Sequence, residues 1–562
     1  MDSFANGIDI PLEENKALEN KIKHRIECGQ SSEKLNKVEE AIKSFMEALA
    51  LLNFESKDNR VLQLYVNIGN LYQLSGNLEE GLRYFKEAYD AAVIQGNKIA
   101  QVDTLVNIAD SFLNKGEAEA GMNYAENADD ILKEIDYIKG ELDISIYWSR
   151  VYYIKQEHYK ARDICNKALR LCGDDFFLHK GKILNILGEL YKDITSVEEH
   201  LALLNKAYEC FEKVNYQRGM LGILNNISTV YADKLQDYEK SLEYFFKVKV
   251  LSENSIYTEF EIIAYMNIGE IYYKLFKYEE SLYWLNEALK KPNGPFVDNA
   301  VFYIYVFLSQ VSLKLCNYKE SYDYFVKANE ELNKYNCRES TLVYYYKLSA
   351  ALFTEFGQIN KAKTYIKQAL NSVEKEEFLI KWNIGLQYEK IRLKEAKGMT
   401  EVRDILEGIR YTLSKYKNKD EILDAVYDTA IELIDMGYME LAYSFSKDYS
   451  QLEPQSPRAV LKNKYIDFHK NTIRGKKEIE GLLSFLETAK HVKNEKIHWE
   501  ICCSLGDCYL NNSNLMKAEV YYKEAYYIIK GMQNSVPEEF REGFMKYNYL
   551  AEPFSKLYKH IE

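Results

Sequence analysis

Helix breakers are scarce in this sequence. Only 7 prolines and 26 glycines punctuate 562 residues, and no Ser/Gly-rich or Pro-rich linker separates one part from another. A chain so poor in breakers runs mostly as helix. Long apolar runs are missing too. The longest, Ala300 to Leu308, has nine residues, where a membrane span needs about 20. The opening residues Met1 to Gly7 lack the basic and apolar stretches of a secretion signal. Nine cysteines, an odd number in no regular frame, point to a reduced, cytoplasmic protein. Basic charge is in deficit: 73 Lys and Arg stand against 86 Asp and Glu, a net −13. That disfavours nucleic acid as a partner, because phosphate backbones demand a basic face.

The motifs of common catalytic sites are also missing. The sequence contains no G-x-x-x-x-G-K-[ST], no H-E-x-x-H and no G-x-S-x-G, and no G-x-G-x-x-G follows a strand. No two histidines stand four residues apart. Cys502, Cys503 and Cys508 lie close together but lack the second Cys or His pair of a structural zinc site. They read as small buried residues of a helix. Carboxylate pairs such as Asp129-Asp130 and Glu279-Glu280 read as solvated helix faces. The expectation is a protein with no enzyme site, no metal and no cofactor.

What the sequence has is a repeat. Tyr65–Tyr72, Leu105–Phe112 and Tyr265–Tyr272 each place a small residue three positions before an aromatic. The small residues are Gly69, Ala109, Ser149, Gly188, Ser228, Gly269, Ser309 and Ser349, at intervals of 40, 40, 39, 40, 41, 40 and 40. A second series follows in each unit, as in Gly81/Phe85/Ala88 and Ser321/Phe325/Ala328. Offsets of four and seven share one helical face. Each unit is therefore a helix A, a short turn and a helix B. Short side chains let two antiparallel helices approach, so Gly69 and Ala88 are expected at that contact, with Tyr72 and Phe85 around it. One hairpin cannot bury its apolar face alone, so units stack.

These residues resemble the tetratricopeptide (TPR) family, whose pattern has Leu-Gly with an aromatic three later and a small-aromatic-small series on helix B. Leu505-Gly506-Asp507-Cys508-Tyr509, with Ala518, Tyr522 and Ala525, repeats the match near the end. The resemblance implies an all-α, right-handed superhelical solenoid of antiparallel helix pairs, about 12 repeats long. The period near 40 exceeds the usual 34. It is similar to that of kinesin light chain, spindle-orientation TPR adaptors and bacterial signalling sensors, which bind peptides, protein segments or small effectors on a concave surface.

The expected organisation is a flexible arm over 1–17 and a TPR array over 18–375 with clear repeats from 62. Divergent repeats over 376–498, a clear repeat over 499–534 and a capping helix segment over 535–562 follow. The units around Gly188 and Ser228 carry insertions before helix B. Pro454 and Pro457, and Pro292, Gly294 and Pro295, mark breaks. The tail Ser535–Phe544 resembles the segment that closes TPR regions in bacterial signalling proteins.

Asparagine is the residue class singled out. Asn67, Asn107, Asn226 and Asn267 stand two before the small residue, Asn185 three before, and Asn70 one after. In the TPR family this part of helix A faces the groove, where amides could bond an extended peptide backbone or, alternatively, a neighbouring repeat. Asp110, Arg150 and Glu270 share the slot just after the small residue. The function expected is a scaffold or sensor for a protein or peptide partner in bacterial regulation or signalling. Two other readings are a regulator resembling the bacterial Rap phosphatases and a structural subunit of a larger complex. The Rap enzymes use a catalytic Gln in an N-terminal bundle, and here Gln30 is the one Gln in the first 62 residues.

Overall fold

A computed structural model describes residues 12–559 except 36, 53–57, 174, 193, 254, 256, 292–297, 335–338, 374–377, 455, 471–475 and 493. Among the described residues every regular element is helical. The chain divides into two compact units. One comprises Met1–Val230, Phe246–Glu261 and Pro292–Val297, the other Tyr231–Phe245, Ile262–Lys291 and Asp298–Glu562.

The first unit holds α1 (Leu12–Lys34), α2 (Val38–Leu51), α3 (Asn59–Leu74), α4 (Leu78–Ile94), α5 (Lys98–Asn114), α6 (Ala118–Leu132), α7 (Ile138–Ile154), α8 (His158–Leu171), α9 (Phe177–Tyr191), α10 (Val197–Lys213) and α11 (Gln217–Thr229). α12 (Tyr238–Ser252) and α13 (Thr258–Lys274) contribute to both units. The second continues with α14 (Tyr278–Leu289), α15 (Asp298–Lys314), α16 (Tyr318–Lys334), α17 (Glu339–Glu355), α18 (Ile359–Ser372), α19 (Phe378–Leu393), α20 (Met399–Leu413), α21 (Lys419–Asp435), α22 (Met439–Lys447), α23 (Pro457–Lys470), α24 (Lys476–His491), α25 (Glu495–Asn511), α26 (Leu515–Ser535), α27 (Arg541–Tyr547) and α28 (Ala551–Lys559). Odd-numbered helices up to α25 are the A helices and even-numbered ones up to α26 the B helices. Taken two at a time, α1 to α26 make thirteen pairs, one more than the sequence periodicity suggests. The stretches expected to be divergent repeats hold complete pairs, α19–α20 and α23–α24. α1 begins at Leu12, inside the arm expected over 1–17, whose residues 1–11 lie outside the described ones. So do Pro292, Gly294 and Pro295. Pro457 is the first residue of α23, where its missing N–H has no helical partner to lose.

The pairs begun by Gly69, Ala109, Gly269 and Ser309 share one repeated contact. The small residue of helix A presents its backbone carbonyl to the small residue 12 positions later on helix B. A Cβ on Gly81 would lie 3.1 Å from the Gly69 carbonyl oxygen, and one on Gly121 would lie 2.8 Å from that of Ala109. Where serine replaces glycine, its hydroxyl uses the same proximity. Ser281 Oγ donates to the Gly269 carbonyl at 2.6 Å. Ser309 Oγ and Ser321 Oγ donate to each other's carbonyls at 2.7 and 2.8 Å. Against the glycines of helix A lies the large residue of helix B: a Cβ on Gly69 would be 2.6 Å from the Phe85 ring, and one on Gly269 would be 2.7 Å from Leu285. Tyr72 stacks on Tyr84 at 5.6 Å. After α11 the segment Val230–Leu235 widens into a π-helix, which absorbs the extra residue of the 41-residue interval.

In the second unit one apolar cluster runs from Phe302 to Leu557. The unit is also stitched by charge. Asp424, Asp428, Glu432 and Asp435 form a stripe along α21, spaced to share a face. Lys314 of α15 lies 4.0 Å from Asp428, Lys390 of α19 at 3.4 Å and Lys462 of α23 at 2.5 Å. Lys394 pairs with Glu432 at 3.1 Å, and Lys496 of α25 with Asp435 at 2.7 Å. Residues far apart in sequence meet here: Gln236 Oε1 accepts from the Lys417 backbone N–H at 2.7 Å, the Tyr238 hydroxyl donates to Glu421, and the Arg458 guanidinium lies 4.6 Å over the Tyr278 ring. The C-terminal segment completes the closure. Phe540 stacks on Phe356 at 5.3 Å, and Phe544 meets Tyr318 at 4.8 Å. Asn548 donates to the Glu355 carbonyl at 2.8 Å. α28 packs on the last pair, through Phe554 on Tyr526 at 4.9 Å. The segment expected as a cap thus reaches back nearly two hundred positions in sequence.

Two predictions follow from this packing. Gly69→Ala drives a methyl into the Phe85 ring and is expected to cost about 1–3 kcal/mol. Gly531→Ala, in a helix with nothing within 4 Å of the new Cβ, is expected to stabilise by about 0.5–1 kcal/mol. Denaturant midpoints read both. For the charge stripe, burial alone would raise the Asp428 carboxyl, but Lys462, Lys390 and Lys314 outweigh it and hold it well below the ordinary carboxylate range. A carboxylate depressed in the folded state stabilises above its unfolded pKa, about 3.9 for Asp. That stabilisation disappears as pH falls toward the folded value. Stability should therefore drop below about pH 4, and Asp428→Asn should flatten the drop in urea titrations. An identical acid response in both proteins would remove the stripe from the account.

Candidate functional site

The A helices of the first unit touch one another in succession, α5 with α7, α7 with α9 and α9 with α11. Side chains at equivalent slots therefore sit across from each other, about 40 residues apart. The predicted groove residues fall on this layer: Asn67 and Asn70 on α3, Asn107 and Asp110 on α5, Arg150 on α7, Asn185 on α9 and Asn226 on α11. Asn267 and Glu270 lie on α13, in its second-unit part.

The layer changes character along its length. From α7 onward Arg150 and Asn226 bond to the repeat before them. Arg150 donates to Asp110 Oδ1 at 2.7 Å and to Asn114 Oδ1 at 3.0 Å. Asn226 Nδ2 donates to Asn185 Oδ1 at 3.2 Å and Glu189 Oε1 at 3.3 Å. Burial raises the Asp110 carboxyl, and Arg150 and Lys182 offset this only in part. At the N-terminal end the Gln73 amide of α3 donates to Ser111 Oγ of α5 at 2.6 Å, but the asparagines are freer. Asn70 is exposed. Asn67 Oδ1 accepts from Gln63 of its own helix at 2.8 Å. The half-buried Asn107 side chain makes no hydrogen bond among the described residues. In the second unit, Glu270 pairs with Lys274 at 3.1 Å, and Lys274 also reaches Asp233 at 3.3 Å.

A second polar chain, not anticipated from the sequence, crosses the same layer one to two turns earlier. Tyr137 and Lys139 donate to Asp103 at 2.7 and 3.0 Å, Lys139 also to Asp143 at 3.0 Å, and His179 bonds Asp143 at 3.1 Å. Burial would raise the Asp143 carboxyl, but His179 and Lys139 lower it on balance. The signal was present: Asp103 and Asp143 stand 40 apart, in register with the small residues. Elsewhere in this unit a shallow depression of about 450 Å³ is lined by Ile42, Met46, Ala50 and Tyr72, with Glu39 and Glu47 beside them.

Residues 62–92, which cover nearly all of α3 and α4, match the family model described as "Tetratricopeptide repeat". No curated protein matches the chain. Among solved structures, the apo form of the quorum sensor NprR from B. thuringiensis is similar at 14% identity over 64% of this chain and 99% of that one, with a TM-score of 0.47. The apo form of RapI is similar at 16% identity over 70% and 98%, with a TM-score of 0.41. The APC/C hetero-tetramer Cut9–Hcn1 is similar at 11% identity over 94% and 96%, with a TM-score of 0.38. All three scores lie below 0.5, too low to carry an activity or a partner across. What this chain itself supplies is a family match on one helix pair, together with the same small-residue contact in pair after pair, and on that ground it is a tetratricopeptide-type repeat protein.

Proposed function

We propose that this chain is a non-enzymatic scaffold that holds an extended polypeptide segment along the A-helix layer of its first unit. The observation that carries the reading is the contrast along that layer. Arg150 and Asn226 are tied to the repeat before them, and Gln73 to Ser111 of the next, whereas Asn67, Asn70 and Asn107 present amides with no bond to a neighbouring repeat. An asparagine amide both donates and accepts, which matches the alternating N–H and C=O of a peptide backbone and is indifferent to its side chains. The long repeat unit and the Ser535–Phe544 tail, which resemble those of bacterial signalling sensors, support a role for the scaffold in regulation.

The test begins with a ligand selected from a random peptide library on the intact chain. Replacing Asn67 and Asn107 by Ala together should weaken its binding about ten- to hundredfold, two hydrogen bonds at about 1 kcal/mol each and more where a peptide group is left unpaired. The melting midpoint should stay in place. Equal affinity in the double variant would move binding off this layer. A collapsed melting midpoint would assign the asparagines to the repeat stack instead. Incubation with a phosphorylated response-regulator domain is expected to release no phosphate, and release above the spontaneous rate would overturn the non-enzymatic reading.

A further inference from the structure

The last helix pair brings together three groups that the sequence keeps apart. His498 and Cys502 stand four residues apart on α25 and share a face. Glu524 comes from α26. One donor atom of each, an imidazole nitrogen, the sulfur and a carboxylate oxygen, lie within 4.8 Å of one another. Glu524 is the hub of the cluster. It accepts from His498 Nε2 at 3.0 Å and from the Lys490 ammonium at 2.9 Å, and the Cys502 sulfur lies within 4.8 Å of it. Cys502 is wholly buried, while the His498 and Glu524 side chains keep 17% and 30% of their exposure. His498 and Lys490 also line a cavity of about 420 Å³, with Glu279, Asn317 and Glu495 on its wall.

We propose that His498, Cys502 and Glu524 form a three-ligand site for a divalent ion of the zinc class, with the fourth position open to this cavity. Imidazole nitrogen, thiolate and carboxylate together are a donor set that a borderline-soft ion takes, and calcium or magnesium does not. Three protein ligands and one open position is the arrangement of an accessible ion rather than a sealed structural one. Tetrahedral ligands at about 2.0–2.3 Å from a metal lie about 3.3–3.8 Å apart, so the triangle, within 4.8 Å in the ion-free protein, has to contract by up to about 1 Å on binding. In the ion-free protein the charge on Glu524 is met by Lys490 and by the imidazole proton. On binding, the Cys502 S–H bond breaks, its proton leaves to water, and the sulfur electron pair forms the bond to the ion. The imidazole presents a lone pair through its other tautomer. The Lys490 side chain, 41% exposed, swings to solvent and gives up its place on Glu524. The chemistry needs no oxidant or co-reactant.

The intact chain, treated with chelator and then titrated with Co²⁺ and Zn²⁺, tests this directly. Expected is one ion per chain and a near-ultraviolet thiolate-to-cobalt absorption band that Zn²⁺ abolishes. Cys502→Ala should remove the band. His498→Ala and Glu524→Gln should each weaken binding at least about tenfold, as loss of even a supporting group does. Cys503→Ala should change nothing. Lys490→Met removes the competing cation without touching a ligand, and should tighten binding. Helical circular dichroism and melting establish that each variant is folded. The absence of a thiolate band at one equivalent in the wild type, its survival in Cys502→Ala, or unchanged or weaker binding in Lys490→Met would each overturn the site.

Discussion

Everything in this protein depends on how closely helix A of a repeat can approach helix B. In the pairs begun by Gly69, Ala109, Gly269 and Ser309 the approach is set by a carbonyl on one helix that meets, twelve residues later, a residue with almost no side chain. Glycine at both positions gives bare contact, and serine fills the same gap with a hydrogen bond to the carbonyl. Because the gap is of fixed size, the large residue of helix B has one place to go, over the small residue of helix A. Phe85 over Gly69 and Leu285 over Gly269 are the same solution with different volumes. A methyl added there has no route of relief, since the hairpin turn lies only a few residues away and holds the two helices in register. Its left-handed position is Gly76 or Gly116 in some repeats and Gln156, Phe276 or Cys316 in others.

From that common hairpin the two units are built by different means. In the first, apolar clusters are short and pass from neighbour to neighbour, as in Val102–Val151 and Leu142–Leu190. This is the nearest-neighbour economy of a repeat array, and Arg150 and Asn226 of the A layer follow it by bonding to the repeat before them. In the second, residues far apart in sequence meet, and a single helix, α21, gathers lysines from α15, α19, α23 and α25. Charges enclosed in this way destabilise unless they are matched, and the lysines match the stripe. A surface so occupied by its own side chains has little left with which to grip a peptide, which is why the freer amides of α3 and α5 carry the functional reading.

The segment around Phe540, Phe544 and Asn548 packs on repeats far from it in sequence. Phe540 and Phe544 pack against Phe356 of the α17–α18 turn and Tyr318 of α16, and Gly543 lies against the backbone at Phe356 so closely that a Cβ would come within 2.7 Å of its carbonyl oxygen. The tail therefore stabilises repeats in the middle of the second unit. Its removal would expose aromatic surface there as well as at the end.

The sequence by itself determined the helix pair, its period and the faces that pack. These are local properties, written in Gly69, Ala109, Ser149 and their successors, because a steric gap must be filled by a small residue wherever it recurs. It also located the A-helix slots of Asn67 to Asn226, since a slot is a position in a period. It could not say which of those side chains would be bound to a neighbour. Whether Arg150 meets Asp110, or Asn226 meets Asn185, depends on the offset between adjacent repeats, a quantity of tertiary stacking. Nor could spacing disclose the acidic hub of α21, the return of the tail to Phe356, or the meeting of His498 and Cys502 with Glu524. Cys502 was read with its neighbours Cys503 and Cys508 because they are close in sequence. The groups that matter to its chemistry come from the same face one turn earlier and from the next helix. Only folding places them there, because antiparallel packing joins residues that periodicity alone leaves unrelated.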